Sequence, residues 1–219
     1  IDFTNYKQVK TFIFKENFIK KNYKYVQNFD FLNFSNNLGG KIGINLSKKS
    51  IFDWFKRNKN KINFPWSDDY TSKRLINIIY NYEFINSSST KLESKFLEKI
   101  IIIHMQRCIF EFNEKKIGYL TSYDVVAVFL SGFLLKRNFK KNIETFESFI
   151  SNQIDSLGMH KSYNILEHSK FLNNLIELKN IFLFFGKDVL KIHESTIIKM
   201  SSILNEYFHT DGSFPLFNS

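Results

Sequence analysis

Cysteine is almost missing from this chain. The single residue, Cys108, rules out an intramolecular disulfide, and its place in the apolar run "IIIIHMQRCIF" at residues 100–110 marks it as a buried, inert thiol. Proline and glycine are scarce too, two and eight in 219 residues, so the sequence has few breaks. Absent altogether are the P-loop, the dinucleotide fingerprint, the HExxH pair and paired-cysteine zinc spacing, which argues against nucleotide and zinc chemistry. Purely apolar runs, such as residues 100–103, fall well short of the ~18 residues of a membrane span, so a soluble chain is expected. The opening "IDFTNYKQVKTFIF" has neither the apolar core nor the cleavage site of a signal peptide. Any targeting segment is expected upstream or not at all, and the compartment stays open between periplasm and cytoplasm.

What is present is positive charge and aromatic bulk. Thirty-one Lys and Arg against 21 acidic residues give a formal charge of +10, which favours polyanionic partners through long-range attraction. The lysines are scattered and accompany abundant Asn, Ile, Phe and Tyr, a bias that an AT-rich coding sequence produces by itself. A dedicated nucleic-acid patch is therefore not expected.

From about residue 47 onward the apolar spacing is helical almost throughout, and six or seven successive helices follow. Ser47 is expected to cap a helix carrying Ile51, Trp54 and Phe55 on one face. Pro65 stops the next linker, and a helix from near Asp69 carries Leu75, Ile76, Ile79 and Tyr82. Ser89 or Thr90 caps a long helix to about Phe112, with Leu92, Phe96, Ile100 and Ile103 expected on its buried stripe. Thr121 opens a helix apolar nearly all round, which belongs inside the array. Helices through Phe146, Phe149 and Ile150, near 165–185 and near 192–208 complete the set. The fold class is mainly α, with hairpins of antiparallel helices. Residues 1–44, aromatic and irregular in period, are expected as an arm of extended chain, short strands or a helical turn packed on the array of residues 45–209.

Among the histidines, His104 lies on an apolar helix and reads as a hydrogen-bonded core residue. The informative loop is "QIDSLGMHKSYN" at residues 153–164, where His160, Ser162, Tyr163 and Asn164 arrive together after Gly158. Asn164 or Ser162 is an ordinary N-cap for the helix that follows. An imidazole and a phenol side by side are also a base and acid pair, with Asn164 free to donate to a carboxylate.

Five stretches in order, "YVQNFDFLN" (25–33), "FPWSDDYTSKRLINII" (64–79), "YLTSYDVVAVFLSGFLL" (119–135), "NQIDSLGMHKSYN" (152–164) and "KMSSILNEYFHTDGSFPLFN" (199–218), resemble successive landmarks of the heparinase II/III-like family. The resemblance spans nearly the whole chain. It implies an incomplete α/α toroid followed by a β-sandwich, with residues 210–219 as the start of that absent sandwich. It also implies a bacterial polysaccharide lyase that binds a uronate-containing acidic polysaccharide, such as a glycosaminoglycan, and cleaves it by β-elimination. In such a reaction a donor neutralises the uronate carboxylate, a Tyr or His removes the C5 proton, and a second group protonates the leaving oxygen.

Gly158, His160, Ser162 and Asn164 match a family loop of the form G-G-H-x-S-R-N, with Leu157 and Tyr163 departing from it. Trp66, Arg74 and Leu75 match another landmark. Tyr119, Leu120 and Asp124 stand where well-studied lyases carry an Asn-His-x-x-x-Asn arrangement. The resemblance thus gives His160 and Tyr163 as proton-transfer candidates, and Arg74, Asn164, Ser162 and Trp66 as substrate contacts. Arg74 in a structural ion pair, and Trp54 and Trp66 in the core, are the plainer readings. No cofactor is expected in this chain, and a metal in the missing domain stays open. Expected partners are the acidic polysaccharide and the protein's own sandwich. Two rivals stand beside the lyase: a noncatalytic glycan-binding or scaffold domain of the same fold, and a helical-repeat module binding protein or nucleic acid.

Overall fold

The structure, a computed structural model, describes residues 23–61, 65–66, 70–137 and 140–207. Helix makes up 78% of the described residues and no strand occurs among them, so the fold they show is all-α as the spacing predicts. The expected sandwich start at 210–219 and the first half of the aromatic arm, residues 1–22, lie outside the described residues. The chain divides into two compact units, residues 1–108 and 109–219.

The first unit contains α1 (Tyr23–Gln27), α2 (Phe31–Leu38), α3 (Gly40–Asn58), α4 (Tyr70–Tyr80), α5 (Tyr82–Asn86) and α6 (Lys91–Glu114) as far as Cys108. Residues 31–44, expected as part of an arm, are thus mostly helical, and α3 begins at Gly40 rather than at Ser47. The reason is a close crossing of α2 and α3. A Cβ at Gly43 would run into the Ser35 carbonyl oxygen and approach the Phe84 ring at 3.0 Å, so the glycine that weakens the helix locally also lets the two backbones meet. Ser35 returns its hydroxyl to Phe31 O at 3.0 Å and leaves that contact free of side-chain bulk.

The cap of α6 is the expected one. Glu93 accepts from the Thr90 N–H at 2.8 Å while Thr90 Oγ1 accepts from the Glu93 N–H at 3.3 Å. Its buried stripe is displaced from the expected one: Leu92 is 80% exposed, and Leu97, Ile100, Ile101, His104, Met105 and Cys108 face inward.

The second unit holds the end of α6, a single 3₁₀ turn at Ile117–Tyr119, α7 (Ser122–Leu134), α8 (Lys140–Gln153), α9 (Ile165–Phe184) and α10 (Lys191–Glu206). Thr121 and Asp124 cap α7 with a reciprocal box. Every α7 residue from 124 to 132 is buried, which places this helix at the unit's centre as its composition predicts. Phe129 packs against Phe146 and Phe182 at centroid distances of 5.6 and 5.2 Å, joining α7 to α8 and α9. His193 of α10 closes the layer by donating Nε2–H to Leu175 O at 2.8 Å.

Candidate functional site

The loop singled out in the sequence joins α8 to α9. It folds back on itself: the Asp155 N–H donates to Met159 O at 2.9 Å, the Lys161 N–H donates to Gln153 O at 2.8 Å, and Ile154 and His160 form an isolated antiparallel bridge. Asp155 organises the turn. Its Oδ1 accepts from the N–H groups of Leu157, Gly158 and Met159 at 3.0, 2.9 and 2.9 Å. Three main-chain donors on one carboxylate oxygen are charge-assisted bonds, stronger than neutral ones. Gly158 has φ of 100°, and a Cβ there would lie 2.6 Å from the Lys199 Cβ, so glycine alone lets the turn rest on α10. Lys199 Nζ donates in turn to Ser156 O at 3.3 Å.

Asn164 caps α9, its Oδ1 accepting from the N–H groups of Leu166 and Glu167 at 2.9 and 3.2 Å. The ordinary cap reading of Asn164 therefore holds, and the residue is exposed on the protein surface. Between Gly158 and this cap, His160 is held from two sides. Its backbone N–H donates to His168 Nδ1 at 3.3 Å, and the buried His168 donates Nε2–H to Met200 O at 2.9 Å, which ties the loop to α10. Its ring lies against Phe171 at a centroid distance of 5.3 Å.

The hydrogen bonds decide which imidazole nitrogen of His160 carries the proton. The Ser162 N–H lies 3.2 Å from Nδ1 and can only donate, and the Ser162 hydroxyl lies 2.7 Å from the same nitrogen. Ser162 Oγ also accepts from the Asn164 N–H at 3.2 Å. Nδ1 is therefore an acceptor, and the neutral ring keeps its proton on Nε2. Among the described histidines, three point their protonated nitrogen at a main-chain carbonyl: His104 at Ile100, His168 at Met200 and His193 at Leu175. His160 is the exception, with Nε2–H left open. Burial holds its pKa below the ordinary histidine value, the Glu167 carboxylate partly opposing that shift. The neutral donor is thus the form present at neutral pH.

Tyr163 completes the turn with φ of 51°, a left-handed conformation uncommon for a side chain of this size, and is 72% exposed. Lys161 and Lys199 flank the loop, both exposed and each giving one bond to a main-chain carbonyl. The nearby Glu167 is paired with Lys170 at 2.7 Å. The structure thus brings His160, Ser162, Tyr163 and Asn164 together on one rigid turn.

Trp66 and Arg74 are elsewhere, in the first unit, and are 1% and 0% exposed. Arg74 donates through Nε to His104 Nε2 at 3.3 Å and through its terminal nitrogens to Gln27 O and Pro65 O, both at 2.9 Å. Its guanidinium carbon lies 4.2 Å from the Trp54 ring centroid and 5.3 Å from that of Trp66. Trp66 donates Nε1–H to Asn58 O at 2.7 Å. Both residues are enclosed among their own partners and present no surface to a bound sugar here. The plainer reading of the tryptophans, as core, is the observed one.

At the start of α7, Leu120 is buried, Tyr119 is 75% exposed, and Asp124 is committed to its cap and to Lys115 at 3.0 Å. The described residues contain no cluster of three or more His, Cys, Asp or Glu able to hold a metal, and no helix long and apolar enough to cross a membrane. The residues missed in the sequence are Asp155, His168 and Lys199. Asp155 was legible, since Asp three residues before Gly is an Asx-turn signal. His168 and Lys199 act through tertiary packing and left no local trace. Comparison with protein-family models, curated proteins and solved structures gives no match for the chain.

Proposed function

We propose that this chain is the helical, substrate-binding part of a heparinase II/III-like protein, its helices forming part of an α/α toroid, and that it binds a uronate-containing acidic polysaccharide at the 155–164 turn. The observation that carries the reading is the open His160 Nε2–H, presented by a turn built from Asp155, Gly158 and Asn164 and flanked by Lys161 and Lys199. Such a donor suits a uronate carboxylate or a glycosidic oxygen, both acceptors. The exposed Tyr163 ring offers a stacking face to a sugar, and the two ammonium groups supply the attraction a polyanion needs.

The tautomer assigns His160 to the donor side of the chemistry. Acting as a base at Nε2 would require moving the proton to Nδ1 and giving up its two incoming bonds. In the β-elimination reading, the neutral His160 therefore hydrogen-bonds the uronate carboxylate through Nε2–H, and Tyr163 is the proton-transfer candidate. The noncatalytic glycan-binding reading has its own support. Asp124, where well-studied lyases place an Asn, is spent on Lys115 and the α7 cap.

The test is calorimetric titration of the protein with alginate, polygalacturonate and heparin, with absorbance followed in the unsaturated-uronate band. Binding weakened about tenfold by His160→Ala and by Tyr163→Ala supports the site. An absorbance rise supports elimination, and binding without it favours the noncatalytic form. Failure to bind any of the three polymers, or binding indifferent to both variants, overturns the assignment.

A further inference from the structure

Some 18 residues along α9 from the 155–164 turn, on the order of 27 Å at 1.5 Å per residue, the second unit contains an open cavity of about 330 Å³. Its apolar wall is formed by Phe129, Phe133, Phe182, Ile143 and Leu190. The rings brace one another, Phe133 and Phe182 edge to face at 5.1 Å and Phe129 and Phe182 at 5.2 Å, so the wall is preformed. Three charged side chains, Arg137, Lys187 and Asp188, line the same cavity and are exposed. No hydrogen bond or ion pair engages these three side chains among the described residues. Leu190, the N-cap of α10, has no side-chain group to satisfy the first N–H groups of that helix, which adds to the positive character of this end.

We propose that this cavity is a binding site for a small monoanion with a flat apolar body, such as an aromatic carboxylate. The aromatic wall takes the body, Arg137 and Lys187 take the anionic group, and Asp188 lowers the local charge so that one negative charge is matched rather than several. The volume falls at the lower end of the range of small-molecule sites, roughly 300–1,000 Å³, which suits a ligand of one or two rings. The inference does not rest on polysaccharide binding at the 155–164 turn.

The experiment is ligand-observed NMR on the full chain with 2-naphthoate, 2-naphthylmethanol and 2-naphthylmethylamine. The expected order is carboxylate over alcohol over amine, with the carboxylate about tenfold tighter than the alcohol. Arg137→Gln combined with Lys187→Gln, both at exposed positions, is expected to abolish that preference without moving the melting temperature. Leu190→Trp, which fills the cavity, is expected to remove binding of all three. No binding of naphthoate, equal binding of the alcohol, or a carboxylate preference that survives the double variant would each overturn the proposal.

Discussion

The Arg74 box of the first unit and the His160 turn of the second use the same materials, an imidazole and main-chain hydrogen bonds, to opposite ends. In the box, His104 donates Nδ1–H to Ile100 O and accepts from Arg74 at Nε2, so both nitrogens are spent. In the turn, His160 accepts twice at Nδ1 and leaves Nε2–H unspent. A fully satisfied polar cluster in a dry interior specifies packing, whereas a half-satisfied one at the surface is available to a ligand. Chemistry should therefore follow His160, and stability should follow Arg74.

The largest effect is expected from removing the box's centre. Arg74→Leu leaves Gln27 O, Pro65 O and His104 Nε2 without their donor in a buried setting. A loss of about 3–5 kcal/mol in unfolding free energy is expected, read from the urea midpoint. His160→Ala in the same assay is expected to cost about 1 kcal/mol or less, since the turn is held mainly by Asp155 and Asn164. Equal losses for the two variants would break the comparison.

Acid sharpens it further. Burial, then the neighbouring Arg74 charge, pushes the His104 pKa down to about 3. Burial also lowers that of His193. The unfolded chain, with ordinary histidines, takes up these protons at higher pH than the folded one does. The stability they contribute is therefore complete above the ordinary value near 6.5 and is lost as pH falls toward the folded pKa. Each such histidine gives a slope of about 1.4 kcal/mol per pH unit inside that window. Urea midpoints at pH 7, 6 and 5 should fall accordingly, while the His104 ring resonances stay unshifted by protonation over the same range. A His104 that titrates above pH 5 would contradict its place in a dry box.

The helices were legible because α9 and α10 bury residues at helical spacing, α7 is apolar nearly all round, and Thr121 announces its cap chemically. Periodicity failed where tertiary contact overrode local preference. Residues 31–44 read as part of an irregular arm, yet they are mostly helical, and the α2–α3 crossing needs a residue without a Cβ at Gly43. The α6 stripe was misplaced because Leu92, in the first turn of the helix, faces solvent. For the candidate site, residue types placed His160, Ser162, Tyr163 and Asn164 together because they are close in sequence. The enclosure of Arg74 was not readable, since it depends on carbonyls of Gln27 and Pro65, distant in the chain. The direction of the His160 proton was not readable either, since it depends on a main-chain N–H.

The smallest effect tests that proton. Ser162→Ala removes the hydroxyl 2.7 Å from Nδ1 and the acceptor of the Asn164 N–H, while the Ser162 backbone donor at 3.2 Å is retained in kind. Stability is expected to change by about 1 kcal/mol or less, because the lost groups are exposed and water replaces them. The tautomer should respond more than the fold does. Nitrogen-15 spectra of the neutral ring should show Nε2–H in the native protein and a larger share of Nδ1–H in the variant, with weaker polysaccharide binding in proportion. A native ring already protonated at Nδ1 would remove the contrast with His104, whose proton sits there, and would return His160 to the status of a possible base.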